Sequence, residues 1–185
     1  MICAIHQPNF FPWYPFFEKI EQSDVFVIMC HCQFEKNNFQ NRFNANDKWH
    51  TMSVNKGLEP IVDKKYLSYE KDWNKIKVNL SQYCDILSQF DDCIDESLVN
   101  TNVKIIKRIC EMLDITTKIT VDYSTELKRT ERLVDICGYV GATEYLSGPS
   151  GKKYLDLSAF PDNMKVSYQE NQTKKPTVEI LNEIS

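Results

Sequence analysis

Two short apolar runs near the start of the chain, Ile2-Cys3-Ala4-Ile5 and Val25-Phe26-Val27-Ile28-Met29, constrain its fold more than any other feature. Short continuous apolar runs bounded by polar residues read as strands buried on both faces. Between them Phe16, Phe17 and Ile20 recur at helical spacing, and Ser23-Asp24 ends the helix. Pro12 or Pro15 can open it, because the first turn of a helix has no use for the missing N–H. Strand, helix and strand in that order make a right-handed crossover and a parallel pair. The prediction is an α/β fold, three-layer or Rossmann-like, with a mostly parallel sheet and flanking helices.

Further along, Asn44 to Lys48 reads as a turn and His50 to Val54 as a third strand, before Gly57 and Pro60 break the pattern. Residues 69 to 90 align Trp73, Ile76, Val78, Leu80, Tyr83, Ile86 and Leu87 on one side of a helix with Ser68 as its N-cap. A second helix, near 95 to 113, carries Val99, Ile106, Ile109 and Leu113. The nearby Asp91, Asp92, Asp95 and Glu96 read as solvated acids favourable to a helix N-terminus. Ile119 to Val121 is a short strand, 130 to 140 a helix that Gly138 or Gly141 can close, and 143 to 146 a strand that stops on Ser147-Gly148. Lys165 to Tyr168 is the last strand. The expected organisation is one α/β catalytic or binding domain over 1–168, with a helical segment near 69–113 and a peripheral C-terminal tail at 169–185.

The chemistry gathers where strands end, which is where open α/β sheets place their ligand crevice. His6 is the first catalytic candidate, since an imidazole serves as general base or acid near neutral pH. Gln7 and Asn9 offer paired donors and acceptors, prolines stiffen the loop, and Trp13 can wall a sugar ring. The loop after the second strand supplies His31, a second catalytic candidate, with Gln33, Lys36, Asn41 and Arg42 as substrate-binding residues. A lysine and an arginine among amides suit an acidic group such as a diphosphate. The later run Ser147-Gly148-Pro149-Ser150-Gly151-Lys152-Lys153-Tyr154 follows a strand and can cradle phosphate oxygens, although it lacks Walker spacing. Ser147, Gly148, Gly151, Lys153 and Tyr154 are its binding candidates. Cys30-His31-Cys32 alternates faces at a strand end and makes a poor zinc set, so no metal ligands are assigned.

The stretch from Ala4 to Trp13, with Phe16-Phe17, Lys19-Ile20, Asp24 to Val27, Gln33-Phe34, Lys36 and Asn41-Arg42, resembles the WbqC-like protein family, and Tyr145 to Asp156 resembles its second signature. That family commonly has an acidic pair before the Gln, where this chain has Cys30-His31. The resemblance implies a bacterial protein associated with O-antigen, lipopolysaccharide and other surface-polysaccharide gene clusters. The order of parts is also similar to that of nucleotide-binding α/β enzymes such as pantothenate-synthetase-like amide-forming ligases, with Asn9 where their second histidine is expected. Joined to the residues, this points to an enzyme that transfers an acyl or aminoacyl group onto a nucleotide-linked amino sugar, with ATP or an activated acyl donor as the cofactor to test. A noncatalytic module that binds the same nucleotide-linked sugar, and a sugar-modifying enzyme of another class, fit the same residues.

Composition narrows the classes further. Twenty-two basic against 26 acidic residues give a formal charge of −4, without the basic face that nucleic acid requires. Seven cysteines without framework spacing, and no apolar signal-like run at the start, point to a reducing cytoplasmic setting. No apolar run approaches the roughly 20 residues of a membrane span, so no membrane insertion is expected.

Overall fold

Residues 1–170, 173 and 175–184 are described by a computed structural model of the chain. In chain order the elements are β1 (Ile2–His6), α1 (Tyr14–Glu21), β2 (Val25–Ile28), β3 (Arg42–Ala45), β4 (Lys48–Thr51), α2 (Tyr69–Asn79), α3 (Cys84–Ser88), α4 (Leu98–Met112), β5 (Lys118–Val121), α5 (Arg129–Tyr139), β6 (Glu144–Ser147), β7 (Lys165–Tyr168) and α6 (Thr177–Ile184). Five strands form one sheet in the order β5-β2-β1-β6-β7, and each neighbouring pair is parallel. The strands anticipated at 2–5, 25–29, 143–146 and 165–168 therefore lie side by side and end on one edge.

The central strands are apolar on both faces because both faces are covered. Ala4, Phe26 and Ile28 join Phe17 and Ile20 of α1 and the apolar sides of α2, α3, α4 and α6 in one core. Cys3, Ile5, Val25 and Val27 pack on the other face against Leu133, Ile136 and Cys137 of α5. Helices on two faces of a parallel sheet make the three layers expected from the sequence.

Topology decides where a ligand can enter. The chain leaves β1 through α1 toward β2 on one side, and leaves β6 toward β7 on the other. The loops after β1 and β6 consequently diverge, opening a crevice at the carboxyl edge where the strand order reverses.

Several expectations change in detail. The third strand is β4, and it belongs to a separate antiparallel hairpin with β3. Asn46 and Asp47 both take left-handed φ, 51° and 56°, as a tight hairpin turn requires. The helix expected over 69–90 breaks at Leu80 into α2, a 3-10 turn at Ser81–Tyr83 and α3. The four acids are ion-paired: Asp91 with Lys77, Asp92 with Arg108, Asp95 with Lys104 and Glu96 with Lys65. The tail is not simply peripheral, since α6 buries Val178 and Leu181 in the main core. Asn171, Gln172, Lys174 and Ser185 of that tail lie outside the described residues.

Candidate active site at the carboxyl edge of the sheet

A cavity of about 590 Å³ fills the crevice between the first loop and the segment after β6. Its origin is visible in the ladder. β1 and β6 pair from Ile2↔Glu144 to Ala4↔Leu146 and then separate. Just past that point the Ile5 carbonyl accepts from Lys19 Nζ at 2.9 Å, so a side chain of α1 stands in for a strand partner.

His6 ends β1 on the cavity wall. Its Nδ1 lies 3.0 Å from the Gln7 carbonyl, which can only accept, so Nδ1 carries the proton and Nε2 keeps a lone pair. Nε2 has no partner among the described residues. Burial, helped by the positive charge of Lys19 and opposed by the Gln7 carbonyl, depresses the imidazole pKa to about 4. At neutral pH the ring is an uncharged base.

The loop that follows is held from both ends. Phe10 and Phe11 are core residues, with Phe11 stacked on Trp73 at 5.6 Å and packed edge-on against Phe90. Phe11 adopts φ 43°, a strained conformation for a bulky residue, and the burial of its ring holds it there. On the polar side Gln40 Nε2 donates to Gln7 Oε1 at 2.6 Å, and Gln7 Nε2 donates to Cys32 Sγ at 3.4 Å. Asn102 of α4 donates to the carbonyls of Pro8 and Gln40 at 2.8 and 2.7 Å, while Tyr66 donates to its Oδ1 at 2.9 Å. A buried amide network with every partner present rigidifies what it touches. Asn9 lines the cavity, and its side chain makes no hydrogen bond among the described residues.

The structure brings together His6, Gln7, Asn9 and Trp13 with Gly148, Gly151 and Tyr154 on the cavity wall. It does not bring the second loop's predicted residues there. Gln33 and Lys36 are exposed. Asn41 is buried and donates to the Met52 carbonyl at 2.8 Å. Arg42 opens β3, donates to the Asn37 carbonyl and lies 4.1 Å over the Trp49 ring. The same loop reaches the cavity through Asn38 and Phe39 instead. In the later block Lys153 points away into solvent, and Ser147 is fully buried with Oγ donating to the Gly148 carbonyl at 3.1 Å. A Cβ on Gly151 would stand 2.0 Å from that Oγ, so this close approach requires glycine.

His31 lies at the neighbouring strand end in a different cluster. Asp122, just past β5, accepts at Oδ1 from the Cys30 and His31 backbone N–H groups at 2.9 and 3.2 Å and from His31 Nδ1 at 2.8 Å. Its Oδ2 is paired with Arg132 of α5. Burial pushes the Asp122 carboxyl up, but the bonds from His31, Cys30 and Arg132 outweigh it and leave it below its ordinary range. Burial and the Asp122 charge push the Cys30 thiol up to about 12. The ligand-capable atoms of Cys30, His31 and Asp122 come within 4.8 Å of one another, and they bond each other. A carboxylate thus reaches the place where the family resemblance led to an acidic pair, supplied from a distant strand.

Sequence reasoning missed Lys19, Gln40, Asn102 and Asp122 as parts of this edge. Asn102 had a local signal, a polar amide on the apolar side of α4. Asp122 had none, because its role depends on β5 lying beside β2.

Among the described residues no helix is long and apolar enough to cross a membrane. No solved structure matches the chain significantly. It is similar to the Mycobacterium tuberculosis (strain ATCC 25618 / H37Rv) "Uncharacterized protein Rv1507c", with 28% identity over 179 residues that cover 86% of this chain and 77% of the relative. The model of the WbqC-like protein family matches residues 7–177, nearly the whole span from the first loop to the start of α6, and the chain belongs to that family.

Proposed function

We propose that this protein is an amide-forming enzyme, one that transfers an acyl or aminoacyl group onto the amine of a nucleotide-linked amino sugar for a surface polysaccharide. The observation that supports this reading best is the uncharged His6. Its Nδ1–H is tied to Gln7 and its Nε2 is left as a base on the wall of a cavity that amides and aromatic rings line. The sugar amine attacks the acyl carbon, forming the N–C bond. The proton lost from nitrogen passes to His6 Nε2, and the bond from the acyl carbon to its leaving group breaks. Asn9 and Gln7 orient the sugar. Trp13 and Tyr154 line the cavity and are 37% and 65% exposed, so the nucleotide end would extend past them toward solvent.

A second reading has an observation in its favour. A base with a pKa of about 4 is weak for proton abstraction at neutral pH, and a noncatalytic module that binds sugar nucleotides needs no stronger one. The two separate in one experiment. The protein is incubated with nucleotide-linked amino sugars, with and without ATP, amino acids and activated acyl donors, and products are followed by mass. The enzyme reading expects an acylated sugar, and His6→Asn should lower turnover roughly 10²- to 10⁴-fold with affinity changed by less than about tenfold. Saturable binding with no mass change under any condition, and an effect of His6→Asn on affinity alone, would make it the binding module.

A further inference from the structure

Two lysines among the described residues are buried, and the contrast between them assigns a ligand. Lys64 is 1% exposed, and its Nζ meets the carbonyls of Asn55 and Gly57 at 3.2 and 3.0 Å and the Glu59 carboxylate at 2.6 Å. All three of its donors are used and its charge is neutralised. Lys19 is 3% exposed, and its Nζ makes one bond, to the Ile5 carbonyl. Two of its donors have no partner among the described residues, and no described carboxylate lies within ion-pair distance. An uncompensated buried ammonium is costly, by several kcal/mol in general.

The difference between the two lysines is location, since Lys19 lines the cavity and Lys64 does not. Among the described residues the wall holds no Asp, no Glu, no Arg and no second Lys. With His6 uncharged, the described residues give the cavity one positive charge against walls that include Ile5, Phe16 and Leu133. One charge calls for one countercharge. A phosphomonoester dianion or a diphosphate would leave negative charge unbalanced beside those apolar groups.

We propose that Lys19 is a binding residue for a singly charged ligand, and that this ligand presents a carboxylate to it. The inference rests on the reading of the cavity as the reactant pocket. It also gives His6 a device for acting when substrate is present. The Lys19 charge is one cause of the weak basicity of His6, so a bound carboxylate that neutralises it strengthens the base. The carboxylate can belong to the acyl donor, as in an amino acid, or to the sugar, as in a uronate.

The test measures binding by calorimetry to wild-type protein, Lys19→Met and Lys19→Gln. The probes are acetate, glycine and glucuronate, set against inorganic phosphate and pyrophosphate. Methionine keeps the length and removes the charge; glutamine keeps a donor for the Ile5 carbonyl, should the methionine variant fold poorly. At least one carboxylate is expected to bind the wild type saturably and more tightly than either phosphate, with affinity reduced at least tenfold in both variants. Burial holds the Lys19 amine down near 8, with the Cys3 and Cys137 sulfurs opposing and His6 and Tyr145 sharing its cavity. Wild-type affinity should therefore fall between pH 7 and 9.5. Glycine over glucuronate would assign the carboxylate to the donor, and the reverse to the sugar. Saturable binding by none of the carboxylates, equal binding by the variants, or preference for phosphate overturns the proposal. Lys19-dependent carboxylate binding without turnover removes the enzymatic reading and leaves this one. Turnover with an unchanged KM in both variants removes this one and leaves the enzyme.

Discussion

The carboxyl edge of the sheet has two polar clusters only a strand apart, and they are built on opposite plans. Past β2 and β5, Asp122 gathers the Cys30 and His31 N–H groups, the His31 ring and the Arg132 guanidinium onto one buried carboxylate. Arg132 Nε alone is left buried without a partner there. Past β1 and β6 the accounting does not close: two donors of the buried Lys19, and the half-buried His6 Nε2 and Asn9 amide, have no partners among the described residues. Buried polar groups in folded proteins are satisfied as a rule. A cluster that satisfies itself is architecture, and one that does not, beside a cavity, is waiting for something. The unsatisfied cluster is the one at the topological switch point.

The sharpest way to break this contrast is to remove the anchor of the satisfied cluster. Asp122→Ala leaves Arg132 as an unpaired buried charge and frees the Cys30 and His31 N–H groups, for an expected loss on the order of 3–5 kcal/mol in urea unfolding. Lys19→Met loses the bond to Ile5 but also removes a buried charge that has no partner, so it should destabilise by no more than about 1 kcal/mol and can stabilise. Equal losses from the two would mean that Lys19 is as structural as Asp122.

Acid should expose the same difference. The folded-state pKa of His6, about 4, lies below its unfolded value of 6.5. Between these values the unfolded chain binds the extra proton, so stability is full above pH 6.5, falls as pH drops toward 4 and levels off below. The loss attributable to His6 is at most about 3 kcal/mol, and less with solvent screening of the partly exposed ring. Asp122 loses stability in the same direction but lower on the pH scale: its depressed carboxyl contributes stability above its unfolded pKa of 3.8 and gives it up only as pH falls further. Two acid phases are expected, and His6→Asn should abolish the upper one. A single phase below pH 4 that the variant does not alter would show that His6 is not buried as a neutral base.

How much of this was legible in the chain depends on distance along it. β1 and β2 were readable because strands covered on both faces are continuous apolar runs bounded by loops, whereas β6 and β7 are short mixed segments, Glu144–Ser147 and Lys165–Tyr168, set off by the loops around them. The β3–β4 hairpin was not, since Arg42–Ala45 is short and half-buried and its turn residues fit an ordinary loop equally well. His6, Gln7, Asn9 and Trp13 share one loop, so a strand end and its polar residues located them together. Lys36 and Arg42 were assigned to phosphate by residue type alone, and nothing local distinguishes a pocket cation from one lying over Trp49. Lys19 was the reverse case, because a lysine beside Phe16, Phe17 and Ile20 reads as a stem along a helix with its head in water. The gap left by β6 pulling away from β1 turns it inward, and that gap is a property of the sheet.

Gly151 tests the packing of the unsatisfied cluster. Its absent Cβ leaves room for Ser147 Oγ, and an added methyl would also lie 3.0 Å from Leu155 Cδ1. Gly151→Ala should cost about 1–3 kcal/mol by overpacking. The double variant with Ser147→Ala should recover part of it, because the shortest contact goes with the hydroxyl. A Gly151→Ala protein of unchanged stability would mean that this loop moves away from β6 freely, and the cavity wall with it.

The smallest effects are expected from the cations that lie off the cavity. Lys36 and Lys153 are exposed, and neither lines the wall. Surface substitutions without a specific partner usually stay within about 0.5 kcal/mol, and Lys36→Ala and Lys153→Ala should do so in urea. Their effect on sugar-nucleotide affinity should be less than about threefold and should vanish with added salt, as long-range attraction does once the Debye length shrinks to about 10 Å or below. Lys19→Met should weaken carboxylate binding at high salt as well as low, because a buried charge is poorly screened. If Lys36→Ala or Lys153→Ala instead costs tenfold or more, and the loss persists at high salt, phosphate is held outside the crevice by these lysines. The ligand would then straddle both regions of the edge, with its carboxylate inside and its phosphates on the rim.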